Sequence, residues 1–168
     1  FWLESDRMLE LNFTPNALEV QRKVVIEEFK QRYLNQPYGD MPLLSRPLAY
    51  KVHPYRWPTI GQDLSHIKEA TLEEVKRFFF THYAPNNAVL AVAGNVVPDE
   101  VFRLAEKWFG DLPRREVPKR SLPQEVAQTE ARELTVRRKV PADLIHIDFH
   151  IGKRTDPDFY VNDLLSDV

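Results

Sequence analysis

Glu28 is the ionisable residue whose setting most directly raises a chemical question. It lies in residues 17–33, ALEVQRKVVIEEFKQRY, a stretch with a helical period. At about 100° per residue, Leu18, Val20, Val24, Val25, Ile26, Phe29 and Tyr33 spread over one broad apolar arc. Glu28 falls inside that arc, close to Gln21, Val24, Val25 and Arg32, whereas Glu27 falls outside it beside Lys23, Lys30 and Gln31. The pattern therefore predicts that Val24, Val25 and Phe29 are buried and that Glu27 is solvated. A carboxylate turned toward an apolar face needs a cation to meet it. Two are available in principle. One is Arg32, four residues on and in the favourable acid-then-base order of a helical pair. The other is a metal ion held jointly with other ligands. The helical pattern alone leaves both open.

Two further constellations carry ligand-type side chains. His146, Asp148 and His150 alternate with other residues, so an extended segment would put all three on one face. That face would either bind a metal or be an ordinary polar strand face. The string HPYRWPTIG, residues 53–61 and following NQPYG, concentrates rings and prolines. It reads as a rigid loop that packs its rings, with a peptide-binding surface as the alternative. Gly94 and Gly110 terminate a strand and a helix rather than forming a phosphate loop. Lys119-Arg120 and residues 137–139 are short basic clusters that suit solvated faces.

The elements that must position these groups can be read in order. Residues 1–11 have a helical period with Trp2, Met8, Leu9 and Leu11 as core candidates. Thr14 and Pro15 supply an N-cap and a first-turn proline for the Glu28 helix, which Asn35, Pro37 and Gly39 end. A short helix interrupted near Pro47 is expected within residues 40–52, and a helical turn within residues 63–67. Thr71 opens an amphipathic helix over residues 72–83, with Leu72, Val75, Phe78, Phe79 and Tyr83 inward and Glu74 at the capping-box spacing. NAVLAVA, residues 87–93, reads as a strand buried on both faces. Pro98 starts a helix to Phe109, with Val101, Leu104, Ala105 and Trp108 packed, and Gly110 stops it. Residues 134–140 and 143–151 read as strands, and Asp156-Pro157 starts a last helix. This order predicts an α+β fold, with helices packed on one face of a mainly antiparallel sheet of which only part is present. Residues 111–133, with Pro113, Pro118, Pro123 and many charges, read as a linker between a first unit, residues 1–110, and the start of a second, residues 134–168.

Composition sets the outer bounds. The chain has 168 residues, enough for a substantial core. It is 43% hydrophobic and 29% charged with a net charge of −2, which gives no footprint for nucleic acid. No apolar run is long enough to span a bilayer. There is no cysteine, which excludes disulfides, thiol nucleophiles and Cys-based metal sites. Both ends fall inside helical patterns, so the sequence reads as a central piece of a longer protein.

Four strings in order, QRKVVIEEFKQRYLNQPYGD, HPYRWPTIG, FFFTHYAPNNAVLAVAGNV and LAEKWFGDLP, closely resemble the pitrilysin/insulinase/mitochondrial-processing-peptidase family of zinc metallopeptidases. The resemblance runs over essentially the whole chain. It implies a metallohydrolase-like α+β unit used twice around an enclosed chamber, and peptides as substrates. It implies that zinc is held by the two histidines of an HxxEH helix and a distal glutamate, whose position here is Glu28. The glutamate of HxxEH would be the general base on zinc-bound water. HxxEH itself is absent; the look-alike His66-Ile67-Lys68-Glu69-Ala70 has Ala70 where the second histidine belongs. The chain is thus expected to contain no catalytic residue and to hold no zinc alone. The missing catalytic half, the rest of the second unit and a homo- or heterodimeric partner would complete the site. Gln21 stands where active members carry a second glutamate, two turns before the distal ligand. That leaves two functions implied: a metalloendopeptidase, or a non-catalytic chamber-forming or scaffold subunit of the same family.

Overall fold

The computed structural model describes residues 1–166. Its helices are α1 (Trp2–Leu9), α2 (Pro15–Phe29), α3 (Met41–Ala49), α4 (Leu64–Glu69), α5 (Leu72–His82), α6 (Pro98–Phe109) and α7 (Phe159–Ser166). A π-helical turn, Lys30–Leu34, continues α2, and 3-10 turns form at Pro54–Arg56 and Pro85–Asn87. Most of these starts follow from local chemistry. Thr14 Oγ1 accepts the N–H of Ala17 at 3.1 Å ahead of α2, and Asp63 accepts that of Ser65 at 2.7 Å ahead of α4. At α5 the capping box is complete: Thr71 Oγ1 accepts from Glu74 N, and the Glu74 carboxylate accepts from Thr71 N at 2.8 Å. Pro98 opens α6, which ends at Phe109 as the sequence predicts. Gly110 closes it with an α-region backbone; a Cβ there would sit 2.5 Å from the Glu106 carbonyl oxygen.

The α+β expectation is not met. Among the described residues there is no β-strand. The helices are there; the sheet they were to cover is not. Asn87 belongs to the 3-10 turn, and residues 88–93, 134–140 and 143–151 form neither helix nor ladder; Val89 is 96% exposed, Ile145 87% and Phe149 83%. Period-two alternation and apolar runs are properties of a single segment, whereas a strand exists only where a second backbone pairs with its N–H and C=O groups. The pattern reports what each segment would do if partnered, and no partner is present.

The chain divides into two compact units. The first comprises Phe1–Glu27 and Asp63–Ser121, and the second Glu28–Gln62 with the residues from Leu122 onward. Neither has a large core: among the described residues the buried apolar side chains are Phe29, Tyr33, Pro58, Phe79 and Ala84. With so few, arginine contacts to helix ends gain weight.

In the first unit, Phe79 is 2% exposed and meets Phe13 edge-on at 5.2 Å, and it stacks on Tyr83 at 5.0 Å. Val75, Phe78 and Tyr83, expected inward, are exposed, as are Trp2, Leu9 and Leu11. The predicted stripe of α5 thus narrows to Phe79 with a half-buried Leu72. Arg115 lies over Phe79 and Phe80 and donates to the carbonyls of Tyr83 at 2.8 Å and Met8 at 3.2 Å. One guanidinium thereby caps the ends of α1 and α5. Arg22 does the same at the end of α4, donating to Lys68 at 2.6 Å, to Ala70 at 2.7 Å and to Ile67.

In the second unit, Phe29 and Tyr33 pack ring to ring at 5.1 Å. Residues 122–142 then run along α3 as a strap with four polar anchors. Glu125 meets the backbone just beyond the C-terminal end of α3, and Arg132 donates to the Leu48 carbonyl there at 2.7 Å. Arg138 pairs with Asp40, ahead of the first turn, at 3.0 Å. The Tyr38 hydroxyl donates to the Ala142 carbonyl at 2.7 Å and accepts its N–H at 3.1 Å.

Candidate functional site

Phe29 fixes the phase of α2. Because it is buried, the packed side of the helix is the arc of Leu18, Arg22, Val25, Ile26 and Phe29, all buried or half-buried. Glu28 lies about 100° away from Phe29, at the edge of that arc. The sequence wheel centred the apolar face nearer Val24, which is in fact 56% exposed, and Val20 beside it is 51% exposed. Val25 and Phe29 turn inward as expected and Glu27 is solvated, but Glu28 is exposed too. The displacement has a physical cause. Arg22 takes an inward position to reach the carbonyls at the end of α4, which rotates the packed face toward it and leaves the Val20–Val24 side in water.

Glu28 Oε1 lies 3.3 Å from Arg32 Nη2, with both side chains half exposed. The intrahelical pair is therefore formed. Arg32 sits in the π-helical turn, a rare element that is frequent at functional positions. Gln21, two turns earlier on the same side, is exposed as well. Glu28 is a carboxylate on a rigid helix, reachable from solvent and bridged on one oxygen by a cation in a weak surface pair.

The other candidates separate. His146 Nε2 and Asp148 Oδ1 are 2.9 Å apart, but His150 stacks on Tyr50 at 4.7 Å instead. Without a straight strand to hold the period, the three ligand-type side chains do not converge. In HPYRWPTIG, His53 Nδ1 accepts the N–H of Tyr55 at 3.2 Å and the two rings meet edge-on at 4.4 Å. Arg56 covers Trp57 at 4.6 Å. The loop packs its rings on one another. In the look-alike string, Ala70 and its neighbours offer carbonyls to Arg22, and His66 is exposed.

Sequence reasoning missed Glu125 and Arg132, which it placed in the linker. Glu125 Oε1 accepts from Lys51 N at 2.8 Å; Oε2 accepts from Val52 N at 2.8 Å and His53 N at 2.7 Å. The N–H of His53 is the largest influence holding the Glu125 carboxyl down to about 2, with those of Lys51 and Val52 and the nearby Arg132 acting in the same sense. No local signal could have found this contact, because the partners lie 72 to 74 residues apart.

Residues 69–168 match the family model described as the peptidase M16 inactive domain. The chain belongs to the peptidase M16 family. It is 31% identical over 151 residues to the zinc protease PqqE of Helicobacter pylori, an alignment covering 88% of this chain and 32% of that protein. It is 28% identical over 108 residues to the mitochondrial-processing peptidase subunit beta of Caenorhabditis elegans, covering 64% and 23%. The crystal structure of a protease from Helicobacter pylori superposes with a TM-score of 0.58 at 33% identity, over 69% of this chain and 27% of that one. The M16 chain thus spans between about a quarter and a third of these relatives. The resemblance read from its four strings is that of the family it belongs to.

Two of the relatives just named are, respectively, a zinc protease and a peptidase subunit, so Glu28 can be tested as a zinc ligand on its own geometry. A catalytic zinc site takes three protein ligands and keeps one position open. Among the described residues no group of three His, Cys, Asp or Glu side chains is placed to hold a metal ion. Glu28 is an accessible carboxylate near the end of α2, of the chemistry that one such ligand position takes. Among the described residues no helix is long and apolar enough to cross a membrane.

Proposed function

We propose that this M16 chain supplies the distal zinc ligand, Glu28, to a metalloendopeptidase that hydrolyses peptides in an enclosed chamber, and that the chain by itself is inactive. The observation that carries the reading is the exposed Glu28 carboxylate at the end of α2 in a chain of the M16 family, joined to Arg32 in a surface pair. Zinc held by Glu28 together with ligands from outside this chain would supply Lewis-acid chemistry for peptide hydrolysis. The role of this chain is to present one oxygen ligand from a rigid helix, with Gln21 on the same face two turns back. The remaining ligands and the general base would come from sequence outside this chain. On the same reading residues 1–110 complete one peptidase-like unit, residues 111–133 connect, and residues 134–168 begin the next; the assembly is a homo- or heterodimer.

Zinc content of the intact protein, measured by elemental analysis, tests the assignment. Glu28→Gln removes a charged ligand and is expected to lose zinc and turnover together, while Glu27→Gln retains both. Full zinc in the Glu28→Gln protein would defeat the assignment. Gln21 supports a second reading, a non-catalytic subunit that shapes the chamber for an active partner. An intact protein that carries no HxxEH and activates a second subunit would favour it.

A further inference from the structure

We propose that the consecutive N–H groups of Lys51, Val52 and His53 form a carboxylate-binding cradle, of which the Glu125 side chain is the tethered occupant. The inference concerns the second unit alone and does not rest on the zinc reading.

Three consecutive backbone donors within 2.8 Å of one carboxylate make a charge-assisted set. Their geometry is fixed by bonds that do not involve Glu125. Tyr50 N donates to the Arg46 carbonyl at 2.8 Å, closing α3 just before the cradle. Arg56 N donates to the His53 carbonyl at 3.1 Å, and His53 Nδ1 accepts from Tyr55 N, closing the 3-10 turn just after it. Lys51 Nζ donates to the Pro47 carbonyl at 2.8 Å, and Arg56 Nη1 to the Lys51 carbonyl at 3.3 Å. The cradle is thus organised by residues 46–56, and its shape is present before the occupant arrives.

The occupant comes from a segment of another kind. Residues 113–129 form neither helix nor strand, so nothing regular holds Glu125 in place except the three donors themselves. Arg132, Arg138 and Ala142 anchor the strap independently on α3 and Tyr38. Removing the Glu125 side chain therefore empties the cradle without releasing the strap. An emptied cradle of this chemistry takes a free carboxylate.

The test is chemical rescue. Amide NMR spectra of the intact protein are recorded for the wild type and for Glu125→Ala during titration with sodium acetate, with sodium chloride at matched ionic strength as the control. In the variant, the Lys51, Val52 and His53 amides are expected to shift saturably with acetate and not with chloride. Their hydrogen exchange rises at least tenfold and falls again when acetate is added. The wild type, its cradle filled, does not respond. No acetate-dependent shift in the variant, or an equal response to chloride, overturns the proposal. If Glu125→Ala does not fold, Glu125→Gln serves: one amide oxygen cannot serve three donors, so the three amides exchange faster than in the wild type. Unchanged exchange in that variant also overturns the proposal.

Discussion

In the first unit the coil that follows α6 is anchored by a cation. Arg115 covers two phenylalanine rings and feeds the carbonyl ends of α1 and α5, and Asn86 closes on its backbone from both sides, at 2.9 and 3.0 Å. In the second unit the coil along α3 is anchored first by an anion, Glu125 on three N–H groups, and then by Arg132 and Arg138. The difference follows from what each coil meets. Helix C-termini offer unpaired carbonyls and the negative end of the dipole, which select arginine. The residues just past α3 offer N–H groups instead, which select a carboxylate. Each unit also rests on one aromatic pair or cluster, so side-chain packing and these polar anchors share the load, and substitutions can separate them.

The largest effect is expected at the aromatic centre of the first unit. Phe79→Ala should cost about 3–5 kcal/mol, the usual range for a fully buried phenylalanine. Urea denaturation measures it, and a loss below about 1 kcal/mol would show that packing elsewhere carries the unit. Next is Arg115→Met, which keeps the apolar stem over Phe79 and Phe80 but leaves the Tyr83 and Met8 carbonyls unserved. About 1–2 kcal/mol is expected for those acceptors. A null result by the same measurement would assign the role of Arg115 to its stem alone. Thr71→Ala, which removes the cap of α5, should cost about 1 kcal/mol, and the N-terminal amides of that helix should exchange faster.

What the sequence made legible was local. Thr14, Thr71 and Pro98 announce helix starts because the cap, or the proline that opens the first turn, acts within a few residues, and each of these helices begins where they place it. The Glu28–Arg32 pair was legible for the same reason. Burial was read less well. The α2 wheel ranked Val24 above Arg22, because an isolated wheel cannot know that Arg22 has three carbonyls waiting beyond residue 66. The strands were misread because alternation describes one segment and pairing needs two. Glu125 was invisible in the linker, since an acid in a proline-rich coil has no period and its partners lie far away in sequence. The family strings identified the M16 relationship without help from any of these.

The smallest and most local effect separates the anionic anchor from the cationic ones by pH. Glu125 is held down to about 2, and the N–H of His53 is the leading cause. Its ordinary value, near 4.5, applies in the unfolded chain. Above pH 4.5 the carboxylate is charged in both states, and its full contribution to stability is present. As the pH falls from 4.5 toward 2 the unfolded chain takes up the proton first, so the folded state loses its advantage progressively; below 2 the advantage is gone. Asp63 and Glu74 are lowered in the same direction, each first by a backbone N–H, that of Ser65 and that of Thr71 respectively. Arg115 and Arg22 hold carbonyls, which do not titrate, so the anchors of the coil after α6 and of the end of α4 have no counterpart in this window. Hydrogen exchange followed from pH 5 to pH 2.5, corrected for intrinsic rates, should therefore show protection falling at Lys51, Val52 and His53 while the amides near Tyr83 and Ala84 hold theirs. Equal losses at both places would mean that acid unfolds the chain as a whole before Glu125 is protonated, and that the carboxylate anchor is no weaker in acid than the guanidinium one.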